Sequence, residues 1–232
     1  MSKILKLEFN GLLFAPIFYK ESVSFLNEFK KKNIPIVMID SNIEEIEGIA
    51  YIGQDSYQSG YLGGKLISYG IKNNSNVLIL EITRNVESTT RTNVYLQRIK
   101  GFYSYFKEKT HLPKFNFREI SIKYDSENQL TINMFDGIDC VFIPNSRVHI
   151  VAKFIQDNDL KNIHLVGFDL LKNNIEFLNN GTIAFLINQK PEDQGYLGIN
   201  HLYKKVVLKE PVTNRHYMPL EIIVQENYTK NP

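Results

Sequence analysis

The 232-residue sequence predicts an α/β fold built on doubly wound parallel sheets. Three observations predict it. Short apolar runs recur along the chain. They are apolar at successive positions, as strands covered by helices on both faces must be. Segments with helical spacing separate them. Hydrophobic residues make up 43% and charged residues 22%, the composition of a globular protein with a real core. The length suits one large α/β domain or two small lobes. No linker and no internal repeat divides the chain, so a second lobe must form by the chain crossing over.

The elements follow in order. The first strand lies within "GLLFAPI" (11–17), and the basic cluster Lys30, Lys31 and Lys32 reads as the solvated end of a helix. A second strand is "IPIVMI" (34–39). The stretch "SGYLGGKL" (59–66) reads as a helix whose small residues let it pack closely on a neighbour. "NVLILEI" (76–82) is the next strand. Tyr95, Ile99, Phe102 and Phe106 then fall at i, i+4, i+7 and i+11 of one helix. Three further runs follow, "IDCVFI" (138–143), "IHLVGF" (163–168) and "TIAFLI" (182–187). From Pro191 a helix begins, with Ile199, Leu202, Tyr203 and Val206 as its apolar stripe. The last run, "PLEIIVQEN" (219–227), comes after a polar turn and is expected at a sheet edge.

Several function classes find no support. "SGYLGGKL" carries Ser59 and Leu66 where a phosphate-binding Walker loop needs Gly and Ser or Thr, and it does not spell GxGxxG. The five histidines, at 111, 149, 164, 201 and 216, show no metal-ligand spacing, and one cysteine cannot complete a zinc site. No GxSxG elbow occurs. Neither a cofactor nor a metal is expected, and the chain does not read as an enzyme. The net charge of +2 does not suggest a nucleic-acid surface. Cys140 sits inside an apolar run and reads as a buried, inert thiol. A single cysteine, no signal-peptide pattern and no run near the ~20 apolar residues of a membrane span lead to the expectation of a cytoplasmic protein without membrane contact.

The polar residues fall at strand ends. In open parallel sheets, ligands bind beyond the carboxyl ends of strands, where helix N-termini and loop backbone converge. Asp40 and Ser41 follow the second run. Asn145 and Ser146 follow "IDCVFIP". Asp169 follows "IHLVGF", and Asn188 and Gln189 follow "TIAFLI". Carboxylates and amides are the groups that hydrogen-bond vicinal sugar hydroxyls in a fork. Asp, Asn and Ser also start helices, so each could instead be a cap. Gln189 is a poor cap, and Pro191 already marks the first helical turn.

Seven segments in register point to a family: "NGLLFAPI", "NIPIVMIDS", "IGQDSYQSGYLGGKL", "LQRIKGFYSYF", "CVFIPNSRVHIVAKFI", "HLVGFD" and "TIAFLINQKPEDQGYLGINHLY". From residue 4 to about 227 the chain resembles the effector-binding domain of LacI-family transcription regulators, which have the two-lobed type I periplasmic-binding-protein fold. The resemblance implies that lobes close around a sugar or similar effector, held by Asp40, Ser41, Asn145, Asp169 and Gln189. It also implies an Arg at position 96, where this chain has Leu96. Arg98 fits a second, structural basic position. Arg91 is the candidate replacement at the ligand, with Arg84 as the other.

The same mapping implies an incomplete N-terminal lobe, residues 1–53 plus 190–217, and a C-terminal lobe, 54–189 plus 218–232. The family's helix-turn-helix and first two strand–helix units have no counterpart among these residues. Operator DNA would be contacted only through that absent helix-turn-helix. The leading expectation is therefore an effector-sensing, homodimeric regulator domain that binds a small carbohydrate. The alternatives are a remnant dimerisation module without ligand binding and a periplasmic-type sugar-binding protein. An enzyme in the same cleft would need a general base within reach of a reacting group.

Overall fold

Alternation of buried side chains along each strand decides how the sheets are covered. In the computed structural model, which describes residues 8–43, 45–83, 93–123 and 129–228, the chain divides into two compact units. Unit 1 comprises Met1–Asp55, Thr92–Val94 and Gln189–Pro219. Unit 2 comprises Ser56–Arg91, Tyr95–Asn188 and Leu220–Pro232.

Unit 1 holds a four-stranded parallel sheet in the order β1 (Leu12–Phe14), β2 (Ile36–Ile39), β3 (Ala50–Gly53) and β9 (Arg215–Tyr217). Ile36 and Met38 of β2 pack with Phe25, Leu26 and Phe29 of helix α1 (Tyr19–Lys31). Val37, between them, packs instead with Leu202 of helix α6 (Pro191–Tyr203). The period of two thus sends alternate residues into two separate cores, which is why the run reads as continuously apolar.

Unit 2 repeats the design on a larger scale. Its sheet runs β10 (Glu221–Ile223), β8 (Phe185–Asn188), β7 (His164–Phe168), β6 (Cys140–Phe142), β4 (Ser75–Thr83) and β5 (Phe115–Lys123). β10 pairs antiparallel with β8 at the edge, where the last apolar run was expected; every other pair is parallel. Val77 and Ile79 of β4 face helices α2 (Ser56–Ser68) and α3 (Asn93–Glu108). Leu78, Leu80 and Ile82 face α4 (Val148–Asp157) and α5 (Lys172–Asn179).

The glycine-rich stretch does pack closely on a neighbouring helix. A Cβ on Gly60 would lie 1.9 Å from the Arg98 carbonyl oxygen, and one on Gly101 would lie 1.9 Å from the Tyr57 carbonyl oxygen. α2 and α3 therefore touch backbone to backbone, a contact that only glycine allows at those two points.

Two expectations need correction. β3, β5 and β9 do not belong to the predicted runs. β5 is an edge strand whose burial largely alternates, and β9 is exposed throughout, so neither presents a two-faced apolar run. The stripe assigned to α6 is also rotated. Leu202 is buried, but Ile199 is 59% and Tyr203 51% exposed. The inward face consists of Gln194, Gly198 and Leu202. A glutamine and a glycine at the interface leave the apolar count on the wrong side of the helix.

Candidate functional site

In unit 1 the polar strand-end residues are gathered by one buried amide. Gln194, 2% exposed, lies on the first turns of α6. Its Oε1 accepts the Asp40 N–H at 2.8 Å, and its Nε2 donates to the Gln189 carbonyl at 2.7 Å. This side chain therefore joins the residue that leaves β2 to the residue that enters α6. Asp40 has φ of 65°, and Lys190 has φ of 53°, both in the left-handed region. The Gln194 side chain is a tether for both turns. Tyr51 adds another: its buried hydroxyl lies 2.8 Å from the Gln54 carbonyl and 3.2 Å from the Asp40 carbonyl. Ser41 is buried and donates from Oγ to Asp40 Oδ2 at 3.2 Å. The Asp40 carboxylate itself is at an exposed position.

Unit 2 uses a buried asparagine in the same role. Asn174, fully buried on α5, lies with its Nδ2 3.0 Å from the Ser146 carbonyl, 3.0 Å from that of Phe168 and 2.9 Å from that of Asp169. Its Oδ1 accepts the His149 N–H at 3.1 Å. The loops leaving β6 and β7 are tied together through it. Asp169 has φ of 67°, and its N–H donates to the Ile187 carbonyl at 3.0 Å. Asn145 donates from Nδ2 to the Ile82 carbonyl at 2.8 Å and accepts the Arg147 N–H at 3.0 Å, an Asx turn. The Arg147 guanidinium donates to the same Ile82 carbonyl at 2.7 Å.

The sequence-predicted residues that the structure describes can now be placed. Asp40, Ser41 and Gln189 come together in unit 1; Asn145 and Asp169 come together in unit 2. None of these residues is the N-cap of an α-helix. The caps of α4, α5 and α6 are Arg147, Leu171 and Lys190, so the capping alternative falls away. Asn145 spends one N–H and one lone pair on backbone, which leaves half of its fork for any other partner. Arg91 and Arg84 lie outside the described residues. Leu96 is exposed. Arg98 is buried: it donates to Ser59 Oγ at 3.2 Å and to the Pro144 carbonyl at 2.9 Å, and its guanidinium stacks 3.8 Å from the Phe168 ring centroid. It braces the loop after β6 and matches the structural position expected of it.

Gln194 and Asn174 escaped the sequence reading. Each stands in a polar stretch, "PEDQG" or "KNN", that reads as solvent-facing. Among the described residues, no group of three or more His, Cys, Asp or Glu side chains could hold a metal, and no helix is long and apolar enough to cross a membrane. Chemically, the two sets offer carboxylates, amides and a hydroxyl on rigid turns. That is equipment for hydrogen-bonding a polyhydroxylated ligand.

Comparison with known proteins gives the family. The ribose import binding protein of Haemophilus influenzae is 23% identical over 176 residues, covering 73% of this chain and 56% of that protein. The ribose import binding protein of Escherichia coli is 23% identical over 203 residues, covering 84% and 64%. The chain thus spans less than two thirds of the length of either. A solved structure from Bacteroides fragilis, assigned as a LacI transcriptional regulator, superposes with a TM-score of 0.88 at 27% identity, over 97% of this chain and 79% of that one. The architecture is that of the type I periplasmic-binding-protein-like structures. With the family model for the periplasmic binding protein domain matching residues 2–210, the chain belongs to that family.

Proposed function

We propose that this chain binds a small carbohydrate and acts as the effector-binding domain of a LacI-type transcription regulator. The observation that carries the binding half is the repeated strand-end device. Asp40 and Asp169 each leave a parallel strand in a left-handed turn whose N–H is held by an acceptor from a neighbouring element. Asp40, Ser41, Asp169 and Gln189 are the proposed sugar contacts, with Asn145 a lesser one and Arg91 a candidate from the sequence alone. The ribose import proteins among its relatives favour a pentose. The 27% identity to the Bacteroides fragilis protein over nearly the whole chain favours the regulator half. On this reading the protein is a cytoplasmic homodimer and a binding domain, not a catalyst. Operator contact belongs to a helix-turn-helix outside these 232 residues.

A second reading, the sugar-binding component of an importer, is favoured by the names of the two curated relatives. Calorimetry against a panel of aldopentoses and aldohexoses tests the shared claim. One sugar should give saturable heat, and Asp169→Ala with Gln189→Ala should abolish it. Heat that survives the double substitution removes these residues from the site. A stable dimer by sedimentation that ignores every sugar supports the remnant dimerisation module instead. Immunodetection of the native protein separates the two leading readings: a cytosolic pool fits the regulator, and a periplasmic pool fits the importer.

A further inference from the structure

Unit 1 contains a cavity of about 300 Å³ lined by Ile52, Leu197, Asn200, His201, Lys204, Pro211, Val212, Thr213 and His216. It is separate from the strand-end set. His201 lies seven residues beyond Gln194 on α6, roughly 10 Å along the helix and toward the end of it that Gln189 does not occupy. The lining residues carry three groups that are or can become cationic and no carboxylate.

His201 is the unusual member. Its Nε2 is closed to water and has no hydrogen-bond partner among the described residues. Burial lowers its pKa first, and Lys205, Lys204 and His216 lower it further, so the surroundings disfavour the charged ring. Lys204 and Lys205 face it from its own helical run and His216 from β9. From β3 it meets Ile52, and from the 211–213 loop only uncharged residues. Glu210, whose N–H donates to the Lys204 carbonyl at 3.1 Å, adjoins this loop but does not line the cavity. Cations crowded together without a counter-charge repel one another, and a bound anion adds an attraction to each of them that opposes that repulsion. The Thr213 hydroxyl and the Asn200 amide add neutral donors.

We infer that this cavity is a site for a dianionic oxyanion of the phosphate class, held by Lys204, His216 and the protonated His201. On this assignment a half-turn of the His201 ring about its Cβ–Cγ bond, which exchanges its nitrogen and carbon edges, presents a ring nitrogen to the anion. Binding takes up a proton, because the anion favours the imidazolium that the empty cavity disfavours.

Inorganic sulfate is the first probe, since its charge is constant across the range in which histidine titrates, and inorganic phosphate is the second. Calorimetry of the intact chain at constant ionic strength should show sulfate binding that weakens about tenfold from pH 6 to pH 8, the loss of one charge-assisted hydrogen bond. His201→Gln should reduce that pH dependence, and His201→Gln combined with His216→Gln should remove it. Lys204→Gln, at an exposed position, should weaken binding several-fold without lowering the melting temperature. In wild-type protein, sulfate should also raise the His201 titration followed by imidazole nitrogen NMR. Sulfate that binds no better than chloride, or a His201 titration indifferent to sulfate, overturns the assignment whatever the variants do. Sulfate binding with unchanged pH dependence in His201→Gln overturns it as well.

Discussion

Replacing Gln194 with alanine tests the organisation of the unit 1 strand ends. Its side chain makes two hydrogen bonds, at 2.8 and 2.7 Å, and is almost wholly shielded from solvent. Truncation strips a donor from Gln189 and an acceptor from Asp40. Asp40 is exposed, so its N–H regains water, and that bond contributes about 1 kcal/mol. Gln189 is buried, so its carbonyl loses a partner that water replaces poorly, at about 1–3 kcal/mol. The sum for Gln194→Ala is about 2–4 kcal/mol of local stability. Gln194→Glu supplies an internal control. Its carboxylate can still accept from Asp40, but when ionised it turns an oxygen toward the Gln189 carbonyl. Burial and that repulsion raise the new carboxyl's pKa, so the folded state binds more protons than the unfolded one. Stability of Gln194→Glu should therefore rise as pH falls, until the protonated carboxyl donates to Gln189. Hydrogen exchange at the Asp40 amide reports on the bridge directly, and urea unfolding followed by circular dichroism gives the free energy. An Asp40 amide equally protected in wild type and Gln194→Ala, with stability unchanged within about 0.5 kcal/mol, would refute the reasoning.

Asn174→Ala should destabilise unit 2 by about 3 kcal/mol or more in denaturant titration, because it leaves several backbone groups of two loops without their partner at once. Cys140 is buried and its thiol pKa is pushed up to about 12, by burial and then by Asp139. It should ignore a thiol-specific chromogenic reagent at pH 8 in the native protein and react fully on unfolding; rapid native reaction would contradict the packing of β6. His164 has a pKa below its ordinary value of 6.5, by burial, against a partial opposing effect of the Leu66 carbonyl 2.9 Å away. The folded state therefore binds fewer protons than the unfolded one near and below pH 6.5. The histidine's contribution to stability is complete above that pH and is lost as pH falls through the depressed folded value. His164→Asn should flatten this part of the pH–stability curve, measured by thermal melts between pH 5 and 8.

What the sequence disclosed depended on how a residue's burial is produced. β2, β4, β6, β7 and β8 were legible because both faces of each strand are covered, which makes the run itself apolar. β5 and β9 were not, because an edge strand needs only one buried face or none. β3 is wholly buried, yet its apolar stretch "IAYI" (49–52) is four residues between Gly48 and Gly53, shorter than the six- and seven-residue runs that stood out. The strand-end residues Asp40, Asn145, Asp169 and Gln189 were found by position, since the carboxyl end of a parallel strand can be counted along the chain. Gln194 and Asn174 could not be found so. Their importance lies in reaching backbone groups on other elements, at separations set by tertiary structure and invisible to periodicity.

The recurrence of one device in both units argues that the strand-end carboxylates are positioned by backbone geometry. Asp40 and Asp169 each follow directly on a β-strand, at φ of 65° and 67°. A β-branched residue fits that region badly, while Asp and Asn enter it at modest cost, so the conformation itself narrows the choice of residue. The two N–H groups are then fixed by an acceptor from a neighbouring element, Gln194 Oε1 in one case and the Ile187 carbonyl in the other. In each unit a buried amide on a helix, Gln194 on α6 or Asn174 on α5, closes the loop. The backbone that carries each carboxylate is thereby held in the folded chain, and on the proposed reading that part of the ordering entropy is spent in folding and not in binding. A cap or a flexible loop would have put the same residue type in the same place in sequence without that consequence.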